Sequence, residues 1–488
     1  MTQPDVTQPD VPVSGVNVVA VVGGGPAGIS AALSAAECGM GVCVIDGEPA
    51  PGGQIWRQPR GGGRVGARPR ALRDVIAHPR IAVLNSATVW HAIADRNEIV
   101  LFCRTGAGQR EIRARAVVLA TGATELALPF PGWDLPGVVT PGGAQALLKA
   151  DGVLVGSHVV VAGTGPLLWP VASALIRAGV SVAALVESAP VTGLAPMMAG
   201  LLAHPALARQ AAGYLRTVLT ARTRVLTHSA VIAAHGDDSI TSVTVARLDG
   251  QGRPVLSQRR DFDVDAACVG WGFVPAIDLA RQLGCAEAPH PTRPASAVSA
   301  DADQRTSVPR VFAAGELTGI GGAVIAALEG TIAGAAAAES VGAIGRREFI
   351  QMTRASRIRL RWARHAARLL DEGPGLPALW SSWLDDDTVV CRCEEVTWGQ
   401  VAEVIDEGIG DVRGIKGQTR CGMGWCQGRM CGPALQSATA IRGGRRAGDV
   451  GDLATRRFAT PVTIADLAGF ADGPPRNPQT HDPGRVRF

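Results

Sequence analysis

Short apolar runs that lead directly into glycine turns are the main pattern in the first part of the chain. Residues 18–22 are Val-Val-Ala-Val-Val, and Gly23-Gly-Gly-Pro-Ala-Gly28 follows before an alanine-rich stretch. A second apolar run, 42–45, ends at Asp46. Unbroken apolar runs are typical of buried parallel strands, and their alternation with a helix predicts a βαβ unit.

The same succession returns at Val159. A valine run enters Gly163-Thr-Gly165, a helical stretch follows, and the next apolar run ends at Glu187. Later, 308–316 has the pattern of a buried strand with a polar end, and glycines and small residues come after it. We therefore predict an α/β protein with two Rossmann-like dinucleotide-binding domains, the second inserted in the first.

Composition agrees with layers of helices and parallel strands, and it gives no sign of export. The 488 residues are 47% hydrophobic, with 61 glycines and a net charge of only +4. Residues 1–10 lack the basic region and apolar core of a signal peptide, so the ten cysteines are expected to be reduced thiols in a cytoplasmic protein. The uncharged stretch 159–176 is broken by glycines and proline, so we expect no transmembrane segment; we also expect no nucleic-acid partner.

The first glycine turn supplies the chemistry of nucleotide binding. Gly23 permits a tight turn, Gly25 lets a pyrophosphate approach the backbone, and Gly28 lets the helix pack closely against the strand. The pyrophosphate then lies at a helix N-terminus, where free N–H groups favour anions. Asp46 is placed to accept hydrogen bonds from a ribose and to repel a 2′-phosphate, so FAD or NAD is preferred over NADP.

The second glycine turn is less complete than the first. Leu168 stands where a third glycine is usual after Gly163 and Gly165, and it would hold the helix further from the strand. This fold therefore either binds NAD, with Glu187 at the ribose, or serves only as a scaffold. Both alternatives stay open.

Four segments resemble those of the two-dinucleotide-domain flavoproteins, whose fold is that of glutathione and thioredoxin reductases: 23–28, Pro51-Gly-Gly-Gln-Ile-Trp-Arg57, Ala120-Thr-Gly-Ala-Thr-Glu125 and Ala313-Ala-Gly-Glu316. The resemblance implies FAD in the first fold, lined by Gly52, Gly53 and Gln54. It also implies that Gly315 and Glu316 meet the ribityl or phosphate region of FAD. Glu316 is a modest departure, because many relatives have Asp there.

The same resemblance implies that Thr121 and Gly122 form the crossover to the second domain. One feature of disulfide reductases is missing. The first 390 residues contain no Cys-x-x-Cys pair, which counts against a disulfide reductase.

Five of the ten cysteines lie close together near the C-terminus: Cys391, Cys393, Cys421, Cys426 and Cys431. A Cys-x-Cys pair followed by a Cys-x4-Cys pair supplies four thiolates, which suit tetrahedral zinc or a [2Fe-2S] cluster. The glycines among them free backbone N–H groups to face the sulfurs, which would tune a cluster. The other five cysteines are expected to be small buried hydrophobes.

The cysteine segment resembles the bacterioferritin-associated ferredoxin-like [2Fe-2S] domain, in its Cys-Arg-Cys-Glu-Glu opening and its Gly-Met-Gly-x-Cys-Gln-Gly-x-x-Cys close. The resemblance implies Cys391, Cys393, Cys426 and Cys431 as ligands and leaves Cys421 as a spare. The spacing also allows Cys421 to pair with Cys426 and so to replace Cys431.

Together these parts resemble the alpha-type, large subunits of FAD-dependent amine and amino-acid dehydrogenases, a class that includes the large subunit of opine oxidase, D-hydroxyproline dehydrogenase alpha and the middle subunit of hydrogen cyanide synthase. The resemblance implies that a smaller, beta-type flavoprotein oxidises the C–N bond of the substrate. This chain would then pass the electrons from flavin through the [2Fe-2S] cluster. Three options stay open: a further flavin at the subunit interface, a small ferredoxin-like third subunit, and peripheral association with the inner membrane through the electron acceptor.

Two other functions stay open. One is a self-contained NADH-dependent reductase in which NAD binds the second fold, and the other is a non-catalytic nucleotide-binding scaffold. No Ser/His/Asp triad, paired-carboxylate motif or histidine metal spacing is evident, so we name no catalytic residue.

The predicted boundaries follow the order of these motifs. An arginine-rich helix is expected within 350–371, either as a solvated connection or as a subunit contact. The predicted parts are a disordered tail (1–16), a first dinucleotide-binding domain (17–125 and 295–345), a second (150–290), a helical linker (346–385), the [2Fe-2S]-binding domain (386–445) and a C-terminal extension (446–488).

Overall fold

The computed structural model describes residues 18–60, 69–95, 98–190, 205–290, 294–371, 375–453 and 456–468. The predicted tail, 1–16, and the last part of the predicted extension lie outside the described residues. The strands are β1 (Val18–Val22), β2 (Gly41–Ile45), β3 (Ile81–Leu84), β4 (Thr88–Ala94), β5 (Ile99–Thr105), β6 (Gly108–Ala114), β7 (Ala116–Leu119), β8 (Ala123–Glu125), β9 (Val138–Val139), β10 (His158–Gly163), β11 (Ser181–Glu187), β12 (Arg224–Thr227), β13 (Ser229–His235), β14 (Ser242–Leu248), β15 (Pro254–Asp263), β16 (Ala266–Gly270), β17 (Phe273–Pro275), β18 (Glu287–Pro289), β19 (Ser296–Val298), β20 (Val311–Ala313), β21 (Val389–Cys391) and β22 (Val396–Thr397).

The helices lie between groups of these strands in the first two thirds of the chain and dominate the last third. They are α1 (Pro26–Glu37), α2 (Arg70–Ala77), α3 (Pro141–Asp151), α4 (Leu168–Arg177), α5 (Pro205–Thr220), α6 (Asp278–Gln282), α7 (Gly322–Ser340), α8 (Arg346–Asp371), α9 (Trp398–Asp406), α10 (Val412–Thr419), α11 (Cys431–Arg442) and α12 (Ile464–Ala468).

Two five-stranded parallel sheets form the body of the protein. The first has the order β20-β7-β1-β2-β3 and the second the order β12-β11-β10-β16-β9. All five residues of β1 are buried, because helices cover this sheet. The return of the chain to the first sheet through β20 confirms the predicted α/β fold with the second domain inserted in the first.

Antiparallel strands complete each domain and join the two. The sheet β4-β5-β6 belongs to the first domain and β13-β14-β15 to the second. Strand β8 leaves the first domain and pairs antiparallel with β17, which returns to it. The two crossings between the domains are therefore hydrogen-bonded to each other.

The C-terminal domain shares a continuous hydrophobic core with the second domain. The rings of Trp271 and Trp383 are 5.5 Å apart, and the Trp383 indole donates to the Gly252 carbonyl at 2.9 Å. The Arg392 guanidinium stacks over Trp133 at 3.9 Å from the ring centre. The described part of this domain therefore packs directly on the second sheet domain.

Helix α7 is long and apolar enough to cross a membrane by length and composition, but 67% of its most apolar window is buried inside the protein. It packs along α1, where Gly330 and Gly334 leave room for the backbone of the other helix. The uncharged stretch 159–176 is strand β10, a turn and helix α4, as its glycines predict. The apolar surface of α7 thus serves the core of the first domain.

Gly330→Ala is expected to destabilise the protein by about 1–3 kcal/mol, since the added methyl group would overlap the Ala27 carbonyl oxygen on α1. Gly213→Ala on α5 is the matched control, because nothing lies within 4 Å of the added carbon. There the greater helix propensity of alanine should leave stability equal or raise it by up to about 1 kcal/mol. Urea unfolding of both variants measures the difference, and equal stability would show that the α1–α7 contact is not tight.

Candidate functional site

The first glycine turn lies between β1 and α1 and leaves the N-terminus of α1 open to an anion. Gly23 has a φ of +107°, and its amide donates to the Ile45 carbonyl at 2.8 Å. Helix α1 begins at Pro26 after Gly25, no side chain caps it, and its first turn contains no acid. A side chain at Gly28 would overlap the Gly23 carbonyl oxygen, so helix and turn are in close contact. Free N–H groups therefore face the place expected for a pyrophosphate.

Asp46, at the end of β2, has a carboxylate oxygen without a partner. The residue is 6% exposed, Oδ1 accepts from the Glu48 amide at 3.2 Å, and Oδ2 is buried without a hydrogen bond. Burial raises the pKa of Asp46 to about 6. Leaving a buried polar atom unpaired is costly, and a ribose hydroxyl would supply the missing donor. The residue therefore fits the ribose of a bound nucleotide.

The segment 52–54 lies directly on the first glycine turn. The Gly52 amide donates to the Gly24 carbonyl at 2.7 Å, and a Cβ on Gly53 would stand 2.9 Å from the Gly25 Cα. A larger residue at Gly53 would therefore fill the cradle beside the turn. Gln54 follows with an exposed side chain.

The loop after β20 also reaches the N-terminus of α1. Gly315 has a φ of +81°, and a Cβ there would lie 2.9 Å from the Ala27 Cβ. Glu316 is half-buried, burial raises its pKa, and it accepts a hydrogen bond from the Gly322 amide. Three segments that are far apart in sequence thus meet around the start of α1.

Thr121 and Gly122 lie at the crossing between the two domains. The Thr121 hydroxyl donates to the Ala276 carbonyl at 2.7 Å, and the Ala276 amide donates to the Gly122 carbonyl at 2.9 Å. These contacts join the outgoing and returning chains. Both residues therefore hold the crossover that the sequence predicts.

The second glycine turn is longer than the first. Helix α4 begins at Leu168, five residues after Gly163, whereas α1 begins at Pro26, three residues after Gly23. Leu168 is 1% exposed and packs in the core beside the second sheet. The residue that replaces the third glycine therefore acts as a core residue.

Glu187, the acid of the second fold, is hydrogen-bonded through its carboxylate to the second glycine turn and to the residues that follow β11. Oε1 accepts from the Thr164 hydroxyl at 2.9 Å and from the Ala189 amide at 3.1 Å, and Oε2 accepts from the Gly165 amide at 3.1 Å. The residue is 3% exposed, and burial raises its pKa. In contrast to Asp46, both of its oxygens already have donors.

The five C-terminal thiols form a group of three and a neighbouring pair. The sulfurs of Cys391, Cys421 and Cys431 lie within 4.8 Å of one another, and all three residues are buried. Cys393 is in hydrogen-bonding contact with the thiol and the amide of Cys426. The resemblance leaves Cys421 as a spare and the spacing allows it to replace Cys431; the structure places the Cys421 sulfur beside the sulfurs of Cys391 and Cys431.

The local fold concentrates these thiols where elements begin and end. Cys391 ends β21, Cys421 follows α10, and Cys431 begins α11. The Gly422 amide donates to the Cys391 sulfur at 3.5 Å. A side chain at Gly424 would overlap Cys393, so the loop needs glycine there.

The group of three cysteines stabilises negative charge on the sulfur of one member, Cys391. Hydrogen bonds from Cys421 and Cys431 lower the pKa of Cys391 to about 2, and the same contact raises the pKa of Cys431 to about 12. By contrast, burial raises the pKa of the distant cysteines Cys43 and Cys268 to about 12, and they are inert core residues. A donor set of thiols alone, with an amide directed at one sulfur, fits a [2Fe-2S] cluster.

A glycine turn with an open helix N-terminus, an unpaired acid and a thiol site in one chain define a flavin-type oxidoreductase with an iron–sulfur domain. The chain belongs to the pyridine nucleotide-disulphide oxidoreductase family, whose model matches residues 17–341, and the model of the BFD-like [2Fe-2S] binding domain matches residues 389–438. The protein accordingly binds FAD or a related nucleotide and a [2Fe-2S] cluster.

Known proteins of similar sequence cover nearly the whole chain. The A-type subunit of opine oxidase from Rhizobium meliloti (strain 1021) is 34% identical over 469 residues, which are 93% of this chain and 98% of that protein. Hydrogen cyanide synthase subunit HcnB of Pseudomonas aeruginosa is 32% identical over 458 residues, which are 91% of this chain and 97% of that protein. These relatives confirm the resemblance to such oxidoreductase subunits.

A solved structure has the same fold over most of the chain. The crystal structure of L-proline dehydrogenase from P. horikoshii is similar with a TM-score of 0.67 and 21% identity, and covers 92% of this chain and 79% of that one. The similarity includes the C-terminal part as well as the two sheet domains, since it covers more of the chain than they do.

Proposed function

We propose that this chain is the electron-transferring subunit of a flavin-dependent amine or amino-acid dehydrogenase of the opine, hydroxyproline or glycine type. The observation that carries the proposal is the continuous core shared by the cysteine site and the second sheet domain, which fixes the cysteines relative to the second fold. A flavin exchanges electrons in pairs or singly, whereas the cluster takes one at a time. Both groups in one chain would connect a two-electron oxidation to one-electron acceptors.

The nucleotide of this proposal occupies the first fold. Gly23 and Gly25 would leave room for the pyrophosphate, and Asp46 would accept from the ribose. The open N-terminus of α1 and the unpaired Oδ2 of Asp46 support this assignment. Gly52 and Gly53, with Gln54 and the loop at 315–316, would line the rest of the site.

The self-contained NADH-dependent reductase is less well supported. It needs NAD on the second fold, where Glu187 would bind the ribose. Both oxygens of that carboxylate are already hydrogen-bonded to the chain, and the turn ends in a core leucine instead of glycine. These observations favour a scaffold role for the second fold.

A smaller, beta-type flavoprotein is the partner we propose, because the relatives are themselves named as subunits. Helix α8 presents Ile350, Ile358 and Trp362 to solvent, with exposed fractions of 49%, 50% and 69%. Trp425, which directly precedes Cys426, is 77% exposed. Exposed tryptophan on a charged helix is typical of subunit contacts.

Co-expression with such a flavoprotein subunit tests the proposal. A stable complex in which an amine or amino acid reduces the cluster of this chain is the expected result. If NADH alone reduces both flavin and cluster in the isolated chain, the self-contained reductase is the correct function. Zinc in place of iron, without any flavin, would leave only the scaffold.

Cys421→Ala is expected to keep its cluster, whereas Cys426→Ala is expected to lose it. Each iron of a [2Fe-2S] cluster takes two protein thiolates, and Cys393 with Cys426 forms one pair. The group of three holds one thiol more than the other iron needs, and we propose Cys391 and Cys431 for that iron. Iron and sulfide content with the visible spectrum measures the outcome. A Cys431→Ala variant that keeps its cluster, while Cys421→Ala loses it, would exchange the roles of these two residues.

A further inference from the structure

A buried carboxylate outside every recognised motif holds the loop after β20. Glu329, on α7, is 2% exposed. Its Oε2 accepts from the Gly315 amide at 2.8 Å and from the Thr318 hydroxyl at 3.0 Å. Its Oε1 accepts from Arg364 on α8, at 2.8 Å from Nη2 and 3.2 Å from Nε. Both oxygens therefore have donors, and the donors come from two different parts of the chain.

The carboxylate binds the loop at a residue whose backbone conformation favours glycine. Gly315 has a φ of +81°, and this turn directs its amide to Glu329. A buried carboxylate is costly unless its charge is compensated, and removal of one partner exposes that cost. The loop therefore keeps its shape as long as the Glu329 carboxylate accepts from Gly315 and Thr318 and is paired with Arg364.

The neighbouring residue on α7 fixes the helix against the glycine-turn helix. Gly330 contacts the Ala27 carbonyl so closely that a side chain would overlap it, and Gly315 lies against the Ala27 side chain. Two successive residues of α7 thus position the loop and α1, the two elements that meet at the proposed nucleotide site.

Arg364 connects this arrangement to the long helix α8. Its side chain is 40% exposed, and it reaches inward to the buried carboxylate. Helix α8 runs from Arg346 to Asp371 and precedes the C-terminal domain in the chain. A change in the loop would alter the contact that holds the second half of this helix.

We propose that Glu329 is a positioning residue that holds the loop 315–318 in its nucleotide-binding shape, and that through Arg364 it couples nucleotide binding to the packing of α8. The proposal rests on the nucleotide occupying the first fold. It adds a residue that touches neither nucleotide nor cluster and acts through the Gly315 amide.

The test uses the full chain after removal of its nucleotide, titrated with FAD. Glu329→Gln keeps the size of the side chain but replaces an acceptor oxygen by an NH2 group that faces other donors, and FAD affinity should fall about tenfold, or about 1.4 kcal/mol. Glu339→Gln is the matched control on the same helix, because Glu339 pairs with Arg305 and not with the loop. Its FAD affinity should equal that of the parent chain.

Hydrogen exchange supplies the second readout. FAD should slow amide exchange in residues 357–365 of α8 in the parent chain. Arg364→Met should bind FAD more weakly than the parent and, at saturating FAD, should lack this protection. Equal FAD affinity of Glu329→Gln and the parent, or unchanged protection in Arg364→Met, would overturn the inference. If Glu329→Gln fails to fold, the Arg364→Met measurement decides alone. A parent chain that binds no FAD would instead overturn the proposed function.

Discussion

Cys391→Ser is expected to yield a folded chain that retains its nucleotide and lacks the cluster. Cys391 is 1% exposed, and its sulfur accepts from two other thiols and from the Gly422 amide. Loss of a residue that only hydrogen-bonds to a metal ligand lowers metal affinity about 10–100-fold. Loss of a ligand itself should therefore lower the affinity for the cluster by more than about 100-fold. In the complex with the proposed beta-type flavoprotein, transfer to the final acceptor should stop, whereas reduction of the flavin should continue.

Two measurements on the same sample separate these effects. Iron and sulfide analysis reports the cluster, and anaerobic bleaching of the flavin bands by the proposed amine or amino-acid substrate reports the reduction of the flavin. Cys285→Ser is the matched control, because Cys285 is also buried but lies far from the five C-terminal cysteines in sequence. Its sulfur is hydrogen-bonded to the Thr306 hydroxyl. Full electron transfer to the acceptor by a cluster-free Cys391→Ser complex would contradict the proposed role of the cluster.

Asp46→Asn is expected to weaken FAD binding by about 10–150-fold. The Asp46 carboxylate offers its unpaired Oδ2 to a ribose hydroxyl, and hydrogen bonds to charged groups contribute about 1.5–3 kcal/mol. An amide at this position directs an NH2 group either to the ribose or to the Glu48 amide. Asp406→Asn, at an exposed aspartate in the C-terminal domain, is the matched control and should leave FAD affinity unchanged.

The pH dependence of FAD affinity follows from the same residue. Burial raises the pKa of Asp46 to about 6, so its ionised form, which accepts from the ribose, is lost as pH falls below about 6. FAD affinity should therefore rise with pH through this range, by at most tenfold per pH unit. In the nucleotide-free chain the raised pKa of Asp46 has the opposite effect on folding: the free energy of unfolding that Asp46 contributes falls as pH rises from about 4 to 6. Titration calorimetry between about pH 5 and 8 measures how FAD affinity changes with pH. This pH dependence should vanish in Asp46→Asn. If the variant retains it, another group is responsible.

The sequence allows the nucleotide folds to be predicted because their physical requirements are local. A buried strand, a turn that needs glycine and an acid at the next strand end all lie within residues 18–46. The parallel pairing of β1 with β2 agrees with this pattern, since parallel strands need a helical crossover. The same local pattern, however, cannot tell Asp46 from Glu187. That difference depends on whether the carboxylate already has donors in the folded chain.

Contacts between distant segments explain what sequence reasoning missed. The spacing of the cysteines could not decide between Cys421 and Cys431 as ligand, and the C-terminal fold brings the sulfurs of both next to Cys391. Glu329 lies in a helix of small residues, and only the folded chain brings its carboxylate within hydrogen-bond distance of the Gly315 amide. A charged residue within an apolar helix was the one signal that could have directed attention to Glu329, because buried charges are rare unless paired.

A reductive titration of the anaerobically purified full chain shows directly whether a flavin and a [2Fe-2S] cluster are held in this one chain. Electron uptake is followed by the visible spectrum and by electron paramagnetic resonance. A chain that holds both a flavin and a [2Fe-2S] cluster should take up about three electrons, two in the flavin and one in the cluster. It should also show a paramagnetic signal that is absent from Cys391→Ser. Uptake of about two electrons, without such a signal in the parent chain, would contradict the account.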